Sequence, residues 1–354
     1  MTGILEGRPI RILNGAAPIR ICDNGGWTDT WFAEHGKIFN IAVSPYVQVQ
    51  IEVHPSAGDV DRIVINAENY GERYVMGTRD MNLGGRYPLV EGVIKCMDVP
   101  KEYALNITIF SETPGGASTG TSAAVAVALI GALNCLRRNR LSIQEISSMA
   151  HSVEMDGLKQ QSGIQDQICS AYGGLNFIEM RKYPHAHVSP ISVSDSTWWE
   201  LESCLALIYL GKSHSSTAVH ERVIETLKGE GPDCKKLSDL RVTAEKSRDA
   251  VCAGDFLALG CAMIENTEAQ GRLHPDLISR DAHRVIDIAR AHGALGWKVN
   301  GAGGDGGSLT ILCGSRASMR RSLIREIEQE NQLFKNIPIH LSRDGLRVWE
   351  VRKA

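Results

Sequence analysis

The stretch that most constrains this chain is residues 114–124, a run of small and hydroxyl residues that leads directly into an apolar segment. The apolar segment, residues 123–133, predicts a buried helix. A loop of small residues lets a ligand approach the backbone closely, and the first N–H groups of a helix have no partner within it. A helix N-terminus also carries about half a positive charge. The junction therefore predicts a site for an anion such as a nucleotide phosphate.

The same stretch also fits a plain loop that ends in a good N-cap, and taken alone it supports both interpretations equally. It is not a Walker loop, because the chain contains no Gly-x-x-x-x-Gly-Lys-[Ser/Thr] sequence. Gly211-Lys212-Ser213 comes nearest, but Ala206 stands where the first glycine would be. The residues predicted to form the phosphate cradle are Gly115, Gly116, Ala117, Ser118, Thr119, Gly120, Thr121 and Ser122.

Length and composition describe an ordinary globular protein. The 354 residues suit two domains or one large α/β unit, and the net charge of −3 indicates neither a nucleic-acid-binding nor a strongly acidic protein. Nine scattered cysteines without a Cys-x-x-Cys pair predict free thiols in a reducing cytosol.

Two further features predict a cytoplasmic protein. The first twelve residues show no apolar core of a secretory signal, and the longest apolar run is too short to cross a bilayer. We expect small-molecule partners, no nucleic acid, no membrane, and a monomer or homodimer.

Hydrophobic periodicity predicts an α+β protein of two halves, divided near residues 182–200. Ser142, followed by Glu145, predicts a capping box at the start of a helix that runs to about Asp156. The last two strands are predicted to form a hairpin. Helices are predicted over 86–97, 122–136, 142–156, 162–171, most of 215–292, and 317–330. Strands are predicted over 10–13, 19–22, 37–43, 47–53, parts of 61–78, 105–110, 175–180, 188–193, 205–210, 296–300, 308–313, 337–341 and 346–351.

Two carboxylates follow the glycine-rich loop. Asp166 lies near the start of a short predicted helix, and Glu154 lies twelve residues earlier, near the end of the preceding helix. An exposed helix face is the commoner reason for one such residue, but the two would face one space if the helices pack as a hairpin. A kinase needs a phosphate holder, a divalent ion, a cation and an acceptor-orienting carboxylate. Ser122 and Glu154 are the hydroxyl and carboxylate that would suffice for Mg²⁺.

Near the N-terminus, Arg20 precedes a turn that contains Gly26, Trp27 and Asp29. An aspartate here is more often a turn former than a ligand. A carboxylate beside a tryptophan nevertheless suits sugar hydroxyls, because the carboxylate accepts two hydrogen bonds and the indole provides an apolar wall.

A second glycine cluster spans residues 301–307 and formally matches the dinucleotide-binding pattern Gly-x-Gly-x-x-Gly. The residues after it predict a strand and not a helix, so the dinucleotide interpretation fails on context. We predict a glycine hairpin that brings backbone close to a ligand or a helix end, with Gly301, Gly303 and Gly304 at its centre.

Taken together and in this order, these blocks resemble the motifs of the GHMP kinase superfamily, and the resemblance covers nearly the whole chain. The first motif is matched by residues 17–20 and 25–29, the phosphate loop by 114–124 and the third motif by 301–307. Asp166-Gln167 before Gly173-Gly174 resembles the sugar-kinase branch. Gly-Gly-Trp-Thr-Asp looks most like the fucokinase and heptose-phosphate kinase subgroup; galactokinases carry Gly-Glu-His-Thr-Asp instead, which argues against galactose.

The resemblance implies a two-domain fold, with a ribosomal-protein-S5-like half over residues 1–190 and a ferredoxin-like half over 191–354. It implies that Asp166 is the catalytic base or hydroxyl-orienting group and that Arg20 keeps it ionised and steadies the phosphoryl oxygens. Ser122 and Glu154 would hold Mg²⁺, and the loop would wrap the ATP phosphates. The substrate-binding residues would be Asp29, Trp27, Gly26 and Gly174.

The implied activity is an ATP- and Mg²⁺-dependent phosphotransferase with an alcohol acceptor, a sugar 1-kinase. The expected acceptor is D-glycero-D-manno-heptose 7-phosphate, giving the 1,7-bisphosphate, with L-fucose or a hexuronate as alternatives. A catalytically silent sensor of sugar or nucleotide is the alternative from another class. The chain departs from the family pattern at Ser118-Thr119, where Gly-Leu is usual, at Thr121, where serine is usual, and at Asp305, which interrupts the third glycine run. Cations that could meet a substrate phosphate are Lys159, Arg86 and Lys212.

Overall fold

The computed structural model describes residues 8–56, 62–76, 86–212 and 216–351. The described helices are α1 (Pro88–Met97), α2 (Thr121–Asn134), α3 (Ile143–Ser152), α4 (Gln165–Tyr172), α5 (Asp195–Cys204), α6 (Ser216–Thr226), α7 (Lys235–Ala253), α8 (Phe256–Leu273), α9 (Arg280–Ala291) and α10 (Ala317–Glu330). The described strands are β1 (Arg11–Asn24), β2 (Gly36–Pro55), β3 (Ile63–Ala67), β4 (Glu72–Met76), β5 (Tyr103–Ser111), β6 (Leu175–Lys182), β7 (His185–Ile191), β8 (Leu205–Tyr209), β9 (Gly296–Val299), β10 (Ser308–Leu312), β11 (Lys335–Ile337) and β12 (Arg347–Glu350).

The first sheet is built around the long strand β2. The order of its hydrogen-bonded strands is β12-β1-β2-β5-β3-β4, and β6 and β7 extend from β2 as a second arm. The arrangement is possible because residues 47–55 of β2 pair with β5, whereas residues 36–41 pair with β6. One strand thereby joins both arms of the sheet.

Strand β2 differs from the sequence prediction, which placed two strands around residues 44–46. The structure has one strand, in which Pro18 lies opposite Tyr46 and Ile19 lies opposite Val43. Ser44 and Pro45 are therefore extra residues, accommodated as a bulge that does not interrupt the strand.

The second sheet is antiparallel, in the order β11-β8-β10-β9. Its core is formed by residues of β8, β9 and β10 with α9 and α10, among them Ile208, Val285, Ile311 and Ile327. The predicted C-terminal hairpin is wrong: β11 pairs with β8 in this sheet, whereas β12 pairs with β1 in the first. The residues between β11 and β12 connect the two sheets. Turn patterns in the sequence carry no information about which distant strand each of these two strands pairs with.

The chain leaves the first sheet at Ile191 and enters the second at Leu205, and the segment between these residues contains α5. Sequence periodicity missed α5. Its Ser194 accepts a hydrogen bond from the Thr197 N–H and is an N-cap that could have indicated it. The boundary between two domains at residue 190 stays a prediction. Strand β12 comes after this boundary in the chain but pairs with β1 in the first sheet.

The helices after the glycine-rich loop follow the predicted order. The capping box of α3 is confirmed, with Ser142 and Glu145 each bonded to the other's backbone N–H. The helix itself ends at Ser152, and residues Val153–Gly157 form a π-helical turn, where a continuous helix was predicted. Such turns displace a side chain from the regular helical path and are frequent at functional sites. In the described ranges, no helix is both long and apolar enough to cross a membrane.

Helix α2 is buried nearly all round, as its composition predicts. It lies so close to β1 that a Cβ added to Gly15 would overlap the carbonyl oxygen of Ala128. Because this contact is between two backbones, side-chain rearrangement cannot relieve it. The close approach fixes the start of α2, and with it the glycine-rich loop, relative to β1.

Replacement of Gly15 by alanine is expected to lower the free energy of unfolding by about 1–3 kcal/mol, because the added methyl group forces α2 away from β1. Urea unfolding followed by circular dichroism measures the change. Gly231→Ala is the matched control, since a Cβ at Gly231 meets nothing within 4 Å. Equal stabilities of the two variants would contradict the proposed constraint.

Candidate active site

The glycine-rich loop has the backbone conformation of an anion cradle. Gly116 and Gly120 have φ of 75° and 70°, and Ser118 has φ of 57°, a conformation that glycine usually supplies. Gly120 is the N-cap of α2, and no side chain caps the helix there. The first N–H groups of α2 are therefore left for a ligand to satisfy.

Arg20 on β1 holds this loop and a carboxylate at the same time. Its backbone N–H donates to the Thr119 carbonyl at 2.9 Å, and Nη1 donates to the Ser118 carbonyl. Nε and Nη2 donate to Oδ1 and Oδ2 of Asp166 at 2.8 and 3.2 Å, a bidentate pair. Burial disfavours the charged guanidinium, but the carboxylates of Asp166 and Asp23 outweigh it and raise the pKa of Arg20. Arg20 is thus a permanent cation beside the loop.

The loop, Arg20 and Asp166 open onto one cavity of about 370 Å³. Glu154, in the π-helical turn, lies on the same cavity and accepts a hydrogen bond from Nε2 of Gln167 at 2.7 Å. Burial and the charge of Asp166 raise the pKa of Glu154 to about 7. The predicted residues that line the cavity are Arg20, Trp27, Asp29, Gly116, Ala117, Ser118, Thr119, Gly120, Thr121, Ser122, Glu154, Asp166 and Gly301.

The N-terminal turn forms another part of the cavity wall. Asp29 is 2% exposed and accepts the Gln165 N–H at 3.1 Å. Burial, opposed by this bond and reinforced by Asp166, raises the pKa of Asp29 to about 6. Nε1 of Trp27 and Oε1 of Gln165 have no hydrogen-bond partner although both atoms are buried. Buried polar groups are normally paired, so these two atoms are exceptions, and both belong to residues that line the cavity.

His220 on α6 packs edge-on against Trp27, with ring centroids 4.6 Å apart. Its Nδ1 lies 2.8 Å from the Gln161 carbonyl, and burial lowers its pKa. The imidazole is therefore neutral near pH 7. In this neutral form Nδ1–H donates a hydrogen bond to the Gln161 carbonyl.

The third glycine motif supports the phosphate loop from the second sheet. A Cβ on Gly301 would lie 3.1 Å from Nη2 of Arg20 and 3.1 Å from the Ser118 carbonyl oxygen. Oγ of Ser308 donates to the Ala117 carbonyl at 2.6 Å. The motif connects antiparallel β9 and β10, so the dinucleotide interpretation is rejected. The Asp305 side chain, 74% exposed, bonds Lys212 beside a separate cavity and does not face the phosphate loop.

Several predicted residues lie outside the cavity lining. Gly174 donates its N–H to the Ser342 carbonyl at 2.7 Å, near the start of β6. Gly26, Gly115, Gly303 and Gly304 do not line this cavity, and Gly304 lines the separate cavity beside Asp305. The candidate cations Lys159, Arg86 and Lys212 do not line this cavity either. Sequence reasoning missed Asp23, Gln165 and His220, which do line it, because no local motif marks them.

The donor set suits Mg²⁺ and a nucleotide phosphate. Ser122 and Glu154 provide a hydroxyl and a carboxylate beside the uncapped end of α2, and Mg²⁺ prefers such hard oxygen ligands. Within the described residues there is no group of three His, Cys, Asp or Glu side chains that could hold a metal. Water and phosphate oxygens would therefore complete the coordination, as is usual for Mg²⁺ at nucleotide sites.

Fold and cavity together define a phosphotransferase with a glycine-rich loop at a helix N-terminus. Comparison with known proteins agrees: residues 88–174 match the family described as GHMP kinases N terminal domain. The mevalonate kinase of Thermococcus onnurineus is 30% identical over 70% of each chain. The D-glycero-alpha-D-manno-heptose 7-phosphate kinase of Campylobacter jejuni is 22% identical over 71% of this chain and 72% of its own.

Among solved structures, a D-glycero-D-manno-heptose 1-phosphate kinase from Bacteroides thetaiotaomicron superposes with a TM-score of 0.75. The two chains are 20% identical, and the match covers 96% of this chain and all of that one, which shows a common fold. The chain belongs to the GHMP kinase family. Kinases of this family use ATP as the phosphate donor, generally with Mg²⁺.

The raised pKa of Asp29 makes a prediction for Asp29→Asn. A carboxyl whose pKa is higher in the folded than in the unfolded chain costs stability as pH rises from about 4 through about 6. The variant is therefore expected to be more stable than wild type near pH 8 and little changed near pH 4, and to have a higher KM for the acceptor. Urea unfolding at both pH values and steady-state kinetics measure these effects.

Asp239→Asn is the control of opposite sign. A hydrogen bond from Lys235 lowers the pKa of Asp239, so this variant should lose a little stability near pH 8. A loss of stability in both variants near pH 8 would contradict the assignment of Asp29 as a buried carboxylate with a raised pKa.

Proposed function

We propose that this kinase transfers the γ-phosphoryl group of ATP to the anomeric hydroxyl of a sugar. The observation that carries the proposal is the bidentate Arg20–Asp166 pair, which lies on one cavity with the uncapped N-terminus of α2. Phosphoryl transfer needs positioning and charge stabilisation more than covalent chemistry, and this set of groups provides both.

In the proposed reaction, an acceptor hydroxyl oxygen attacks the γ-phosphorus and the bond to the β-phosphate bridging oxygen breaks. Asp166 orients the hydroxyl and takes its proton, while Arg20 holds Asp166 and stabilises charge on the equatorial oxygens. The loop N–H groups bind the leaving phosphates. Mg²⁺ held by Ser122 and Glu154 would offset the phosphate charge.

The first acceptor to consider is D-glycero-D-manno-heptose 7-phosphate. Its support is the Gly-Gly-Trp-Thr-Asp turn, which looks most like the heptose-phosphate and fucokinase subgroup, together with the Campylobacter relative. Asp29 and Trp27 would hold the sugar ring through its hydroxyls and its apolar face.

A second candidate is an unphosphorylated sugar such as L-fucose. Nε1 of Trp27 and Oε1 of Gln165, the unpaired groups of the two residues that would face the sugar, are neutral, and a hydroxyl can both donate and accept. His220 beside them is neutral as well. Among the described residues that line the cavity, Arg20 is the one permanent cation, and it is already bound to Asp166.

A panel of acceptors separates these candidates. We would incubate the protein with ATP and Mg²⁺ and measure ADP release with heptose 7-phosphate, L-fucose, glucuronate, galactose, mannose and mevalonate. A hexuronate is the remaining sugar alternative. If ATP binds but no acceptor is phosphorylated, the proposal of a sugar kinase is replaced by the alternative of a catalytically silent sensor.

Asp166→Asn is expected to reduce kcat by about 10²–10⁴-fold, because the amide cannot take the hydroxyl proton. Nucleotide affinity should persist, since Asp166 does not belong to the phosphate loop. Kinetics and titration calorimetry with ATP measure the two quantities. Asp287→Asn, on the exposed face of α9, is the control. A kcat near wild type for Asp166→Asn would exclude the proposed base.

A further inference from the structure

A fully buried ion pair joins the two sheets at the wall of the active-site cavity. Asp23 near the end of β1 and Lys298 in β9 are each 1% exposed, with Nζ and Oδ1 3.3 Å apart. Lysine and aspartate are almost never so deeply buried, and desolvation makes such a pair costly. Burial lowers the pKa of Lys298 while Asp23 opposes that effect. The buried position of the Asp23–Lys298 pair therefore needs an explanation other than its contribution to stability.

Lys298 and its partners enclose one residue of the third glycine motif, Gly301. Nζ of Lys298 donates to Oε1 of Gln270 at 3.0 Å and to the Val299 carbonyl. Asp23 accepts the Gly301 N–H at 2.9 Å, and Nε2 of Gln270 donates to the Gly301 carbonyl at 3.0 Å. Both backbone polar groups of Gly301 are therefore held by side chains that are themselves bound to Lys298.

Gly301 lies between this ring of hydrogen bonds and the catalytic groups. A Cβ added to it would lie 3.1 Å from Nη2 of Arg20 and 3.2 Å from Cβ of Ser118, so the residue closes the space behind both. Asp23 also acts on Arg20 directly, because its charge raises the pKa of Arg20. One carboxylate thus serves two buried cations and one backbone N–H.

We propose that Asp23 and Lys298 are positioning residues for phosphoryl transfer: the pair fixes Gly301, and Gly301 fixes Arg20 and the Ser118 end of the phosphate loop. An apolar pair would pack in the same space but would leave the Gly301 N–H and Oε1 of Gln270 without partners. The inference rests on the proposed role of Arg20 at the γ-phosphoryl group.

Lys298→Met is the first variant to test. We expect kcat to fall by about 10²-fold, because a small displacement of Arg20 and the loop misaligns the transferring group. The affinity ratio of ATP over ADP should also fall toward one, since in the proposed reaction Arg20 stabilises the γ-phosphoryl group that ADP lacks. The acceptor KM should stay unchanged, because Asp29 and Trp27 are not held by this pair. Lys246→Met, which removes an exposed ion pair with Glu265, is the control.

The double variant Asp23→Leu/Lys298→Met, an apolar pair, keeps the test valid if the single variants fold poorly. Removal of both charges should restore stability, measured by urea unfolding, whereas kcat and the ATP-to-ADP ratio should remain low. Recovery of all three quantities would show that the pair only stabilises the fold and would overturn the proposal. So would a folded Lys298→Met variant with wild-type kcat and wild-type ratio.

The nucleotide measurement also separates this inference from the proposed function. If wild type phosphorylates no sugar, the sugar-kinase proposal fails, but the ATP-to-ADP ratio can still be measured by calorimetry. A lowered ratio in Lys298→Met, with no change in Lys246→Met, would then still support the positioning role. An unchanged ratio would overturn it regardless of the acceptor.

Discussion

The Arg20–Asp166 ion pair is the interaction on which the active site depends. It joins β1 to α4, and the same guanidinium donates a hydrogen bond to the Ser118 carbonyl of the phosphate loop. A buried guanidinium is stable only if its donors are paired, so the loop and the carboxylate are fixed together and not independently. The close contact of α2 with β1 at Gly15 then gives this arrangement a rigid base.

Acidic groups outnumber cations around the cavity. Asp23, Asp29, Glu154 and Asp166 all line it, whereas Arg20 is the one permanent cation among its described residues. Burial and mutual repulsion raise the pKa of Asp29 to about 6 and of Glu154 to about 7. These carboxylates would repel a free nucleotide polyanion, and a divalent cation bound with the phosphates would offset that repulsion. The electrostatics therefore agree with the use of Mg²⁺ that is general in the family.

Sequence reasoning succeeded where the structural cause is local. The α3 capping box and the buried helix after the loop depend on residues within a few positions, and both are confirmed. It failed where the cause is distant: no pattern near β12 reveals that it pairs with β1, and none near Asp23 reveals Gly301, 278 residues away. The motifs predicted many of the residues that line the cavity, but not Asp23, Gln165 and His220 beside them, because tertiary packing decides which distant residues meet.

The departure from the usual Gly-Leu in the phosphate loop has a structural explanation. Ser118 has φ of 57°, a conformation that costs a non-glycine residue of order 1–3 kcal/mol unless its surroundings impose it. Here Arg20 binds the Ser118 carbonyl and Gly301 closes the space beside it. Trp27, with φ of 76°, is a second non-glycine residue in this region of the backbone map, and it lines the same cavity. Two residues that line one cavity thus have strained backbone, and at Ser118 the contacts that impose it come from Arg20 and Gly301.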